Sequence, residues 1–123
     1  MAPKRILIAD RDDHTRKILS YLLERNGYEI QAENNGLDAV SRVSSHQPVL
    51  IIMDINLPGM DGFDFLRIIR DHPAWHDIKI IILSAMDREV DIIKGLSFGA
   101  DKYITKPFSN QMLIKTIATL LEI

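Results

Sequence analysis

Four polar residues sit at the ends of strand-like segments, and their types point to one chemistry. Asp10 follows Ile6-Leu7-Ile8-Ala9 and Asp54 follows Val49-Leu50-Ile51-Ile52-Met53. Ser84 closes the run 78–83, and Lys106 ends the segment 101–105 just before Pro107. Brought together, two carboxylates, a hydroxyl and an ammonium make a site for phosphoryl transfer, in which the cation neutralises phosphoryl oxygens and a carboxylate acts as nucleophile. Clustered carboxylates repel one another and stay ionised at neutral pH only with something positive among them. A hard divalent cation is the usual solution, and Mg2+ is typically held by one or two carboxylates while keeping several waters.

The elements that must position these groups alternate regularly. The apolar run before Asp54 shows no polar alternation, which marks a strand buried on both faces at the centre of a parallel sheet. Pro58 and Gly59 then turn the chain, so Asp54 is delivered to the rim of the sheet. Periodicity predicts β1 at 6–9 and α1 at 13–26, with Thr15, Ile18, Leu19, Leu22 and Leu23 at helical spacing and Gly27 as terminator. Next come β2 at 28–32, a turn at Asn34-Asn35-Gly36, α2 at 37–46 marked by Leu37, Val40 and Val43, and β3 at 49–53. Helix α3 starts at Gly62 with Phe63, Leu66, Ile68 and Ile69 and is stopped by Pro73; β4 spans 78–83. For α4 at 88–98, Asp87 is the expected cap, Val90, Ile93 and Leu96 the inward face, and Gly99 the terminator. Strand β5 covers 101–105, and Ser109 caps α5, which carries Leu113, Ile117, Leu120 and Leu121.

Five strands alternating with five helices require right-handed crossovers, hence an α/β fold with a single doubly wound parallel sheet covered on both faces. The order 2-1-3-4-5, flavodoxin-like, is a common solution, and it reverses its winding between β1 and β3. Asp10 and Asp54 end those two strands, so carboxylates meet in one crevice.

Composition narrows the classes. At 123 residues the chain is read as one domain over 1–123, and 46% hydrophobic with 26% charged residues is the balance of a soluble globular protein. Lys and Arg number 15 against 17 Asp and Glu, a net charge of −2 that gives no general attraction to nucleic acid or to an anionic membrane. Without cysteine there is no disulfide or thiolate chemistry, which suits a cytoplasmic setting. The four apolar residues 6–9 are too few for a signal-peptide core or a membrane span. His14, His46, His72 and His76 lack metal-ligand spacing and are expected to be solvated, whereas Trp75 is expected to cover an end of the sheet from a loop.

Four motifs in order then resemble a known family. Ile-Leu-Ile-Ala-Asp near the start, Met-Asp-Ile-Asn-Leu-Pro-Gly-Met-Asp-Gly at 53–62, Leu-Ser-Ala at 83–85 and Lys-Tyr-Ile-Thr-Lys-Pro-Phe at 102–108 resemble the receiver domain of bacterial response regulators. The resemblance covers essentially the whole chain. It implies that Asp54 accepts a phosphoryl group from a histidine kinase or phosphotransfer protein with Mg2+, and that the chain is a signalling acceptor rather than an enzyme. It further implies that Asp10, Asp54 and the backbone carbonyl of Asn56 hold the metal, with Asp12 as a further candidate, and that Lys106 pairs with the phosphoryl oxygens. By the same implication Ser84 moves to the phosphoryl group and Tyr103 follows from an exposed to a buried rotamer. That switch alters an α4-β5-α5 face offered to a downstream protein or output domain, with the chain a monomer or weak dimer. Met86 stands where such domains tune hydrolysis and cannot hydrogen-bond an attacking water.

One position departs from the family pattern. The second of two adjacent acids after β1, usually the direct metal ligand, is here Arg11. Two unit charges about 4 Å apart are worth about 4 kcal/mol at an effective dielectric near 20, less where solvent reaches a long arginine stem. Three arrangements follow: Asp12 turns inward as the missing ligand, Asp10 and Asp54 suffice with weaker Mg2+ binding, or the guanidinium pairs with Asp54 in place of a metal. The last would make the domain an interaction module that is weakly or not phosphorylated. Two rivals are weaker. Asp10-Arg11-Asp12 resembles the nucleophile motif of haloacid-dehalogenase-type phosphatases but leaves Asp54 without a role, and no glycine-rich loop follows β1 to bind a nucleotide cofactor. Asp13 reads as the α1 cap, and Tyr103 reads equally as packing or as switch.

Overall fold

The computed structural model describes residues 2–122, and in it five strands lie in the order β2-β1-β3-β4-β5 with every neighbouring pair parallel. They are β1 (Arg5–Ala9), β2 (Glu29–Glu33), β3 (Leu50–Met53), β4 (Lys79–Ser84) and β5 (Lys102–Thr105). The helices are α1 (Asp13–Arg25), α2 (Gly36–His46), α3 (Gly62–Asp71), α4 (Glu89–Ser97) and α5 (Asn110–Leu120).

Strand periodicity of two divides the core into two layers. Leu7, Ile51 and Ile80 lie side by side, as do Ala9, Met53 and Ile82, and these face Ala39, Val43, Phe65, Leu66 and Ile69 from α2 and α3. On the other face Ile6, Ile8, Leu50, Ile52, Ile81 and Leu83 meet Leu19 and Leu23 of α1 and Leu113 and Ile117 of α5. Each fully buried Val, Leu, Ile, Met or Phe side chain among these contributes about 1.5–3 kcal/mol. Residue 49 falls outside this pattern: Val49 precedes β3 and is exposed, so the central strand is one residue shorter than the apolar run.

Local signals set most helix ends. Asp12, Asn35, Asp61 and Ser109 cap α1, α2, α3 and α5, each accepting a backbone N–H from the first turn. Gly27 and Gly99 follow α1 and α4 with positive φ of 89° and 112°, as their reading as terminators requires. The cap of α1 is Asp12, not Asp13. Asp13 lies in the first turn, paired with Arg16 and Lys17, because the Asp12 carboxylate reaches the Thr15 amide at 3.1 Å and its hydroxyl at 2.6 Å.

Helix α4 is turned the opposite way from its apolar spacing. Val90, Ile93 and Leu96 are exposed, while Asp91, Gly95 and, just beyond the helix, Ala100 are buried. The reason is close approach: a Cβ on Gly95 would stand 2.7 Å from Ile82 Cδ1 and 2.9 Å from Tyr103 Cδ2, so only glycine lets α4 lie this near the sheet. Asp87 does not cap it; Arg88 occupies the cap position without a side-chain cap bond and instead grips Asp91 through two hydrogen bonds of 3.0 Å. Lys94 of α4 lies 4.1 Å from the ring of the buried Phe63 in the first turn of α3, and Phe63 meets Phe98 edge-on at 5.4 Å.

Smaller differences follow the same logic. Leu37 and Ile68 face solvent, their places inside taken by Ala39 and Phe65. His46 is buried rather than solvated, with Nε2 3.3 Å from the Ile6 carbonyl, whereas His14 and His76 are exposed. Trp75 sits in the turn before β4, stacked on His72 at 3.8 Å and packed against the α2–α3 layer, at the amino ends of the strands.

Candidate functional site

Each site residue stands where a strand ends and is still tied to the neighbouring strand. The Asp10 amide donates to the Glu33 carbonyl at 3.1 Å, Asp54 to Ala9 at 2.9 Å, and Lys106 to Ser84 at 2.8 Å. Backbone bonding therefore continues one residue past β1, β3 and β5, so the side chains emerge from rigid rather than frayed chain. A further hold comes from Arg16, which sequence reasoning missed. Its guanidinium donates to the Asp10 carbonyl at 2.8 Å and to the Asp13 carboxylate at 2.8 Å. The only hint in the sequence is a basic residue one turn into α1 behind an acidic cap.

The three charged side chains converge. Lys106 Nζ donates to Asp10 Oδ2 and to Asp54 Oδ2, both at 2.8 Å. The Asp10 and Asp54 side chains are 3% and 9% exposed and that of Lys106 20%, so these are charge-assisted bonds in a largely dry setting. Burial works against the Lys106 ammonium, but the hydrogen bonds and charges of Asp10 and Asp54 outweigh it and hold its pKa above the ordinary lysine range. The remaining oxygens are also engaged: Asp10 Oδ1 accepts from the Asp12 amide at 2.8 Å, and Asp54 Oδ1 from the Asn56 amide at 3.0 Å.

Ser84 and Tyr103 meet at one residue. Ser84 is buried, and its Oγ accepts the Met86 N–H at 3.1 Å, while the Tyr103 hydroxyl donates to the Met86 carbonyl at 2.6 Å. The half-buried Tyr103 ring lies against Gly95, and burial pushes its hydroxyl pKa up. The loop from β4 to α4 is thus held from both sides.

Two of the three arrangements considered for position 11 are not those observed. Asp12 does not turn inward, since its carboxylate is spent on Thr15. Arg11 is exposed and does not pair with Asp54; among the described residues it makes no ion pair, and Lys106 takes the place beside that carboxylate. A divalent cation at this rim would have to use the same oxygens. All four carboxylate oxygens of Asp10 and Asp54 already accept a protein hydrogen, the Asp12 carboxylate is turned to Thr15, and position 11 carries an exposed arginine rather than an acid. Among the described residues no three His, Cys, Asp or Glu side chains are grouped to hold a metal ion. With Lys106 standing between the two acids and no third carboxylate beside them, the residues fit Mg2+ poorly in this arrangement.

The switch-point crevice of this doubly wound α/β domain thus joins two strand-end aspartates to a strand-end lysine. The family model of the response regulator receiver domain matches residues 6–118, and the chain belongs to that family. It is similar to a Chloroflexus aurantiacus protein described as a response regulator, with 31% identity, a TM-score of 0.93, and coverage of 98% of this chain and 99% of that one. The chemotaxis response regulator CheY4 of Vibrio cholerae is similar at 26% identity and a TM-score of 0.89, over 96% and 98% of the two chains. The signal receiver domain of a signal transduction histidine kinase from Syntrophus aciditrophicus shares 33% identity at a TM-score of 0.89, over 97% and 90%. The chain is thus a receiver domain of two-component signalling. Receiver domains interact with histidine kinases and output domains and generally bind Mg2+ at the phosphorylation site. No helix among the described residues is long and apolar enough to cross a membrane.

Proposed function

We propose that this chain is the phosphoacceptor of a cytoplasmic two-component relay, with Asp54 as the acceptor. The observation that carries this reading is the single ammonium of Lys106 set 2.8 Å from both Asp10 and Asp54. A carboxylate oxygen of Asp54 attacks the phosphorus of a phosphohistidine, an oxygen–phosphorus bond forms, and the phosphorus–nitrogen bond breaks. The electron pair of the broken bond stays on the imidazole, which takes a proton from solvent. Lys106 neutralises the oxygens of the transferred group, and Asp10 keeps that ammonium in place. The chain accepts and holds the group rather than turning over an external substrate.

The output follows from Met86. For Ser84 to bond a phosphoryl oxygen, its Oγ must leave the Met86 amide, which loosens the same residue whose carbonyl anchors Tyr103. The movement is passed to α4 because Tyr103 packs on Gly95. Exposed Val90, Ile93 and Leu96 on α4 and Met112 on α5 then supply the apolar part of an α4-β5-α5 face for a downstream protein. Intact-mass measurement after incubation with phosphoramidate tests the reading. Wild type should gain one phosphoryl group and Asp54→Asn none. A wild type that gains nothing under any cation condition would leave a receiver fold acting only through protein contacts.

A further inference from the structure

We infer that this receiver pocket balances its acid pair with its own fixed cations and has no resident divalent cation, with Arg11 as the residue that sets this difference. Asp10 and Asp54 bring two negative charges, and Lys106 returns one while touching both at 2.8 Å. Arg11, the residue directly after Asp10, is exposed at the carboxyl end of β1 and has no carboxylate partner among the described residues, so its charge is available to the same rim. The acid that would have drawn a metal is absent, and Asp12, the nearest substitute, is held on the α1 cap by Thr15.

A divalent ion arriving here meets three obstacles. It must displace the Lys106 ammonium or share its oxygens, it must share Asp10 Oδ1 and Asp54 Oδ1 with the backbone N–H groups that donate to them, and it must bind beside a residue, Arg11, that carries positive charge one position after Asp10. Mg2+ dehydrates reluctantly and needs near-ideal octahedral geometry, so partial access to two carboxylates is poor recompense. An incoming phosphoryl dianion meets the reverse situation. It finds the Lys106 ammonium in the pocket, and Arg11, one residue after Asp10, offers a planar donor fork suited to phosphoryl oxygens. Arg11 therefore does two things: it disfavours the metal, and it supplies charge for the phosphoryl group that the metal supplies elsewhere in the family. The second role rests on Asp54 being the acceptor; the first does not.

Two measurements on the full chain separate these points. Calorimetric titration with MgCl2 should give little heat for wild type up to about 10 mM, whereas Arg11→Asp should bind at least about tenfold more tightly. Because Arg11 is exposed, the variant should keep the wild-type far-UV spectrum in the absence of metal. Phosphoryl incorporation from phosphoramidate is then followed by intact mass with EDTA and with MgCl2. Wild type should label at rates within about twofold of each other in the two buffers, Arg11→Gln should label more slowly than wild type in EDTA, and Arg11→Asp should depend on MgCl2. Wild type binding Mg2+ as tightly as Arg11→Asp would overturn the inference, as would wild-type labelling that vanishes in EDTA and returns with MgCl2. If no variant labels in either buffer, the acceptor reading fails, and the titration alone still decides whether Arg11 keeps the cation out.

Discussion

Replacing Lys106 by methionine removes the ammonium while keeping a stem of similar length. Lys106 bonds two carboxylates whose side chains are 3% and 9% exposed, so Lys106→Met leaves two charges facing each other with little water. Removing one partner of a buried pair costs about 3–5 kcal/mol. The lysine side chain is itself 20% exposed, and solvent entering beside the shorter thioether relieves part of that, giving about 2–4 kcal/mol. For a domain of this size each kcal/mol lowers the melting point by about 3–5 °C, so a fall of about 10 °C is expected. Thermal unfolding followed by far-UV circular dichroism reads this directly, and a second substitution shows its origin. Adding Asp10→Asn to Lys106→Met removes one uncompensated charge and should recover at least about 1 kcal/mol relative to additivity. A loss below about 0.5 kcal/mol, or a cycle in which the two substitutions simply add, would refute the view that one ammonium neutralises both acids.

Other consequences are open to the same equilibrium measurements. The pKa of Lys106 is raised in the folded chain, so its stabilisation is fully present below the unfolded lysine value of about 10.4 and is lost as pH rises through the folded value; wild type should lose stability across that alkaline range more steeply than Lys106→Met. Tyr103→Phe removes the 2.6 Å bond to the Met86 carbonyl and should cost about 0.5–1.5 kcal/mol in urea unfolding with an unchanged m-value. Ile93→Lys on exposed α4 should change stability by less than about 0.5 kcal/mol, whereas Leu113→Ala in the α1–α5 layer should cost about 2–5 kcal/mol. Equal losses at these two positions would mean that α4 buries its apolar stripe after all.

The sheet and the placement of its acids were legible because strand-end position is a property of short windows. An unbroken apolar run such as 50–53, short and closed by a Pro/Gly turn, reads as a strand buried on both faces, and whatever follows it stands on the rim. The orientation of α4 was not legible, because a helical period identifies a stripe without saying whether it meets the sheet. What decides that is the contact of Gly95 with Ile82 and Tyr103, a relation between three distant elements. The choice between Asp12 and Asp13 as cap turned on whether Thr15 could be reached, and consecutive acids hide that difference. His46 carries no sign of burial in its own neighbourhood; the end of α2 presses its ring toward the Ile6 carbonyl. The shared lysine was the hardest feature to foresee. Residues 10, 54 and 106 could each be assigned to the rim, but that one ammonium serves both acids, and that Arg11 pairs with neither, required the side chains themselves.

The most direct test of the acceptor claim is chemical trapping of the phosphorylated residue. Borohydride reduces an aspartyl phosphate to homoserine, and fragmentation of the peptide spanning β3 and its following turn then reports the modified position. The account predicts homoserine at position 54 after treatment with phosphodonor and none at position 10. Homoserine at position 10, or at neither position in a chain that has gained phosphate, would contradict it.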